Sequence, residues 1–183
     1  MPVSFTAADG RKVDLKDLRG KVVLVDFWTY DCINCQHTLP YVKDWAKKYE
    51  KDGLVVIGVH TPEYPFERST NNVRTATKRF GLTYPVAQDN RYATWNAYAN
   101  QYWPAVYLID KKGKVVYTHF GEGAYEETEA VIREQEEVGA DDAAAGHLQA
   151  VGRHLDHLLV RVHLDRELAQ LTHRRFAETV GQL

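Results

Sequence analysis

The chain contains only two cysteines, and they stand together as Cys32-Ile33-Asn34-Cys35. A disulfide requires Cα atoms within about 4.4–6.8 Å, which a spacing of one helical turn allows. The run before the pair, Val22-Val23-Leu24-Val25-Asp26-Phe27, is apolar and β-branched, as in a strand buried on both faces. After it, Leu39, Val42, Trp45, Ala46 and Tyr49 recur on one face of a helix. The pair therefore falls where a strand hands over to a helix. Cys32 is predicted at the helix N-terminus, where unpaired N–H groups and the helix dipole favour a thiolate. Such sites bring a thiol from about 8.5 down to roughly 3.5–7.5. Cys32 is thus the expected nucleophile and Cys35, one turn inside, the resolving thiol. Half of a zinc site is the alternative. It would need two more ligands, and the spacing of His37, His60 and His119 fits no zinc pattern. His154 and His157 are one turn apart, but two ligands are too few.

The elements that must hold this pair follow from periodicity. A short strand and turn are expected over 12–20, and a second buried strand over Leu54–Val59 after the turn at Asp52-Gly53. Phe66, Val73, Ala76 or Thr77, and Phe80 predict a helix stopped by Gly81. Tyr92, Trp95, Tyr98, Ala99 and Tyr102 trace a shorter one. Ala105–Ile109 and Val115–Phe120 read as strands of a hairpin across Asp110-Lys111-Lys112-Gly113. A last helix is expected from Tyr125 to Val138. Parallel strands with crossover helices, closed by an antiparallel hairpin, imply a mixed central sheet with helices on both faces. Pro40 lies inside the helix that follows the cysteines and is expected to kink it.

Composition changes near Gly139. Every lysine and tryptophan precedes it, whereas five of eight histidines follow it. Residues 1–138 are therefore expected to form the α/β domain and residues 139–183 a helical C-terminal extension. Leu148, Val151, Leu155, Leu158 and Val162 repeat at three and four residues, so a dimer seam through residues 148–180 is one expectation. A formal net charge of −2 provides no basic field for nucleic acid. No apolar run reaches the roughly 18–20 residues that span a bilayer, and the first residues lack a signal-peptide pattern. The expectation is a cytoplasmic chain, or a domain of a longer exported protein.

Residues 3 to about 137 resemble the redoxin and TlpA-like branch of the thioredoxin superfamily. The resemblance rests on Leu15-Lys16-Asp17-Leu18-Arg19-Gly20-Lys21, Val25-Asp26-Phe27-Trp28, the Cys-x-x-Cys, Leu39-Pro40 and Trp103-Pro104-Ala105-Val106-Tyr107-Leu108-Ile109-Asp110. Within that branch, Phe27 to Cys35 followed by Thr38-Leu39-Pro40-Tyr41-Val42 is similar to the thioredoxin-like domain of DipZ-type cytochrome c biogenesis proteins. The resemblance implies a thioredoxin-like three-layer sandwich and a thiol–disulfide oxidoreductase that reduces protein disulfides. A disulfide-containing protein substrate and an upstream thiol donor are its implied partners, with no metal or organic cofactor.

Three further assignments come with it. Asp26 is costly as a buried ion and must be protonated, paired or hydrated. It is either a hydrogen-bonded core residue or, as the resemblance implies, the acid that shuttles a proton for the resolving thiol. TlpA-like relatives often place a Glu between the second cysteine and the helix proline, where this chain has Thr38. Pro104 is implied to be cis and to face the cysteines, with Trp103 offering backbone groups to an extended substrate. Trp103, Trp28 and Tyr30 are either the walls of an apolar docking patch or ordinary core. Rival functions are a thiol peroxidase of the redoxin type and a metal- or haem-pathway thiol chaperone. Asp31 is expected to oppose the Cys32 thiolate, which would favour a reductant over an oxidant.

Overall fold

In the computed structural model, which describes residues 4–7 and 10–144, the strand before the cysteines is the central strand of the main sheet. This strand, Val23–Trp28, is buried along its whole length. In chain order the elements are β1 (Ser4–Thr6), β2 (Lys12–Asp14), β3 (Val23–Trp28), α1 (Ile33–Lys48), β4 (Val55–His60), α2 (Thr70–Phe80), β5 (Val86–Gln88), α3 (Ala93–Ala97), β6 (Ala105–Ile109), β7 (Val115–Phe120) and α4 (Tyr125–Ala144). Short 3₁₀ turns occupy Leu15–Leu18 and Pro65–Arg68. The main sheet has the order β5-β4-β3-β6-β7. β3 pairs with β4 in parallel and with β6 antiparallel, so the mixed sheet closed by a hairpin is as expected. β1 and β2 form a separate antiparallel pair. At three residues, β1 is too short to carry a readable periodic signal.

The period of two along β3 divides the core. Val22, Leu24 and Trp28 join Leu39, Val42 and Trp45 of α1, Val73 of α2 and Ile132 of α4 on one face. Val23, Val25 and Phe27 join Trp95 of α3 on the other, with Val13 and Leu18 packed against them. The longer helices thus gather on one face, and the second is covered by α3 and the N-terminal segment.

Pro40 sits on the exposed side of α1, inside the helix. An interior proline costs about 3 kcal/mol. Burying Leu39, Val42 and Trp45 returns about 1.5–3 kcal/mol each, so packing outweighs the break and the helix continues. α2 starts at Ser69, whose hydroxyl accepts from Asn72 N–H at 3.4 Å, and stops at Gly81 in the left-handed region. α4 continues past the expected Val138 to Ala144. The extension beyond 144, including the seam expected through residues 148–180, lies outside the described residues. Among the described residues no helix is long and apolar enough to cross a membrane.

Candidate active site

β3 ends at Trp28, a short loop follows, and Cys32 becomes the N-cap of α1. Its sulfur accepts the Cys35 backbone N–H at 3.3 Å. Both thiols are free, Cys32 partly exposed and Cys35 1% exposed. The Cys32 thiol is pulled from 9.0 down to about 7. The hydrogen bond with the Cys35 thiol contributes most, and the N–H groups of Cys35 and Asn34 add to it. Burial and the charge of Glu63 oppose the shift. Adjacency in sequence pointed to Asp31 as the opponent; the opposing charge comes instead from a different loop. Burial pushes Cys35 far up, and the Cys32 thiol and the Asp26 charge push the same way. The two thiols are thus set apart, Cys32 pulled toward ionisation near neutrality and Cys35 held protonated.

Asp26 lies on the α1 side of β3, in register with Gly58 of β4. It is 1% exposed, and burial raises its carboxyl from 3.8 to about 7. Neither of its oxygens has a hydrogen-bond partner, nor do the buried Trp28 Nε1 and Tyr84 hydroxyl on the same side. Gly58 makes this space: a Cβ there would meet Trp28 Nε1 at 3.0 Å and a Tyr84 ring carbon at 3.1 Å. The Asp26 charge acts on the Cys35 thiol, and each of these buried groups is pushed toward its protonated form. Thr38, buried on α1, donates to the Asn34 carbonyl at 3.0 Å and carries no charge to replace it.

Because β6 runs antiparallel to β3, its start lies beside the end of β3, with Phe27 opposite Ala105. This brings Pro104 to the cysteine end of the sheet, buried and after a cis bond from Trp103. Trp103 is half-buried, its ring 4.1 Å from that of Trp95 and its Nε1 donating to the Thr61 carbonyl at 3.0 Å. Tyr30 is half-buried, stacks on His60 at 5.4 Å and donates to the Phe66 carbonyl at 3.1 Å. Trp28 is a correction. It is fully buried, edge-on to His60 and Phe80, so it walls no docking patch. Two residues before it on a strand buried on both faces, Asp26 points the same way, and the indole follows it into the core.

Sequence reasoning missed a buried polar cluster behind the Cys32 loop. Glu67 is fully buried, and its carboxylate accepts from the Thr29 hydroxyl and from the N–H groups of Asp31 (3.3 Å), Glu63 (2.6 Å) and Tyr64 (2.8 Å). His60 Nε2 lies 3.3 Å from the same Thr29 oxygen. Burial lowers His60 to about 4, leaving a neutral ring whose Nε2–H donates to Thr29, which in turn donates to Glu67. The available signal was the spacing Tyr64-x-x-Glu67, in which a Glu reaches back to the N–H three residues earlier. Among the described residues no group of three or more His, Cys, Asp or Glu is arranged to hold a metal ion.

The comparisons with known proteins agree with this geometry. The Redoxin family model matches residues 1–134. Protein DipZ of Mycobacterium tuberculosis is 55% identical over 124 residues, covering 68% of this chain but 18% of the relative. The chain therefore spans under a fifth of that protein. Thiol-disulfide oxidoreductase ResA of Bacillus thuringiensis is 33% identical over 70% of this chain and 71% of its own length. The crystal structure of the exposed lipoprotein thioredoxin of Streptococcus pneumoniae superposes with a TM-score of 0.62 at 30% identity, covering 72% of this chain and 97% of that one. With the family model spanning the whole sheet and both cysteines, the chain belongs to the Redoxin family and has the thioredoxin fold.

Proposed function

We propose that the chain reduces disulfides of protein clients, with Cys32 as nucleophile, Cys35 as resolving thiol and Asp26 as proton acceptor. The Cys32 thiolate attacks one sulfur of the client disulfide. A Cys32–client disulfide forms, and the other client sulfur leaves as a thiolate that takes a proton. Cys35 then gives its proton to ionised Asp26 and attacks the Cys32 sulfur, releasing the second client thiol and leaving Cys32–Cys35 oxidised. Two electrons pass from the dithiol to the client, and an upstream thiol donor restores them. Trp103 and Tyr30 form the client-facing side, with Trp103 offering backbone groups just outside the β6 pairing and buried Pro104 fixing the turn that presents them. The reacting unit comprises residues 1–138 and the rest of α4.

What supports the direction is a moderately stabilised Cys32 sulfur: it accepts the Cys35 N–H at 3.3 Å while burial and the Glu63 charge oppose the thiolate, so the thiol falls only to about 7. Thioredoxin has a value near 7, whereas the strong oxidant DsbA reaches about 3.5 because its reduced form is so strongly stabilised. The expected potential is therefore nearer about −270 mV than about −120 mV. Equilibration with glutathione buffers, read by alkylation and mass, tests this. A value above about −180 mV would assign an oxidant or isomerase instead.

A further inference from the structure

The segment from Thr61 to Arg68 crosses the same end of the sheet as Cys32 and is held from below along its length. Thr61 N–H donates to the Trp28 carbonyl at 3.0 Å, and Trp103 Nε1 bonds the Thr61 carbonyl. The Tyr92 hydroxyl bonds the Pro62 carbonyl. The Phe66 carbonyl receives Tyr30 and Asn72, each at 3.1 Å, and the Arg68 carbonyl receives Gln88 and Asn90 at 2.8 and 2.9 Å. Buried Glu67 ties Glu63 and Tyr64 to the Cys32 loop through Thr29 and Asp31. A segment fixed in this way has little conformational entropy left to lose on binding.

Its outer side nonetheless carries large apolar groups into solvent. Tyr64 is 48% and Phe66 51% exposed, their rings parallel to within 3° and 5.6 Å apart. Phe66 in turn lies 6.3 Å from Tyr30. Ile33, the residue after Cys32, is 60% exposed. Rigid exposed aromatics are the side chains that supply most binding energy in protein contacts. Two exposed acids stand beside them: Asp31 precedes Cys32 and Glu63 precedes Tyr64, and the backbone N–H groups of both donate to the one Glu67 carboxylate, at 3.3 and 2.6 Å.

We propose that residues 61–68, with Tyr30 and Ile33, form a client-recognition ledge for an extended protein segment carrying an aromatic or large apolar residue and a Lys or Arg beside its reactive cysteine. The apolar residue lies on Tyr64 and Phe66, and the cation faces Glu63 and Asp31. This rests on the reductase reading above and names its substrate class. Glu67 acts as a positioning residue, setting the ledge and the Cys32 loop from one buried carboxylate.

The test uses two peptides of equal length, each with one cysteine in disulfide linkage to glutathione. One has Phe and Lys flanking the cysteine, and the other has Ser and Glu. The full chain, reduced, is mixed with each in a single turnover, and the second-order rate constant is expressed relative to that for bis(2-hydroxyethyl) disulfide. The expected result is at least a tenfold preference of the wild type for the Phe/Lys peptide. That preference should fall below threefold in Tyr64→Ser/Phe66→Ser, and Glu63→Lys should selectively remove the part owed to the cation. No preference in the wild type, or a preference that survives the double substitution, would overturn the proposal. Because the wild-type comparison stands alone, a variant that fails to fold does not rescue it. A wild type inert toward both peptides and the small disulfide would instead refute the reductase reading, and this inference with it.

Discussion

Replacing Asp26 by Asn should change stability in a way that depends on pH. The wild-type carboxyl moves from 3.8 in the unfolded chain to about 7 in the folded one. At about 1.4 kcal/mol per pH unit, that corresponds to about 4 kcal/mol. Between those values the folded state holds a proton that the unfolded state has released, so folding is favoured least at high pH. The stabilising contribution is complete below about pH 4 and lost as pH rises through about 7. The amide of the Asp26→Asn variant does not titrate. The variant should therefore match the wild type near pH 4 and exceed it by about 4 kcal/mol near pH 8. His60 shapes both curves in the opposite sense. Its folded value of about 4, against 6.5, means that the unfolded state binds the extra proton, which removes about 3 kcal/mol as pH falls from 6.5 to 4. In the wild type the two slopes nearly offset each other. In the variant the His60 slope stands alone, so its stability should fall on acidification. Urea unfolding followed by tryptophan fluorescence at pH 4.5, 6, 7 and 8.5, with the cysteines reduced, reads this directly. A variant-minus-wild-type difference constant to within about 0.5 kcal/mol over that range would refute the assignment. The same variant should resolve the mixed disulfide more slowly, and wild-type rates across pH 6–9 would leave Asp26 a structural residue only.

Alkylation by iodoacetamide should follow a midpoint near pH 7 at Cys32 and leave Cys35 unlabelled, with peptide mapping as the readout. Cys32→Ser should abolish reductase activity, while Cys35→Ser should accumulate the client mixed disulfide on non-reducing gels. Glu67→Gln places an amide NH₂ against N–H donors, because all four partners of the carboxylate donate to it, and should cost roughly 1–3 kcal/mol in urea unfolding. Gly58→Ala should cost about 1–3 kcal/mol by the same assay, since the added methyl meets Trp28 and Tyr84 at 3.0 and 3.1 Å.

The parts legible in the sequence are those with a local cause. β3, α1 and the β6–β7 hairpin announce themselves by apolar periodicity and by turn residues, and the Cys-x-x-Cys needs only the strand-to-helix junction to acquire its chemistry. Trp28 was legible in principle: on a strand buried on both faces, a residue two beyond Asp26 shares its side, yet proximity to the cysteines suggested a surface role. Glu67 was not legible as a site. In Pro65-Phe66-Glu67-Arg68 it reads as a solvated turn, and its partners Thr29 and Asp31 lie on a loop that only the sheet brings near. Glu63 acts on Cys32 for the same reason, whereas sequence adjacency pointed to Asp31.

The antiparallel pairing of β3 with β6 has a kinetic consequence. The cysteine junction is made by neighbours in the chain, β3 and α1, whereas Pro104 and Trp103 arrive only when Ala105 finds Phe27. Contacts so distant along the chain form late, because closing the intervening loop must precede their reward. During refolding, alkylation of Cys32 near pH 7 should therefore rise above that of an unfolded thiol before the chain can turn over a protein client. The interval between the two signals times the docking of β6 against β3, so the enzyme's own chemistry serves as a clock for the last long-range step of its folding.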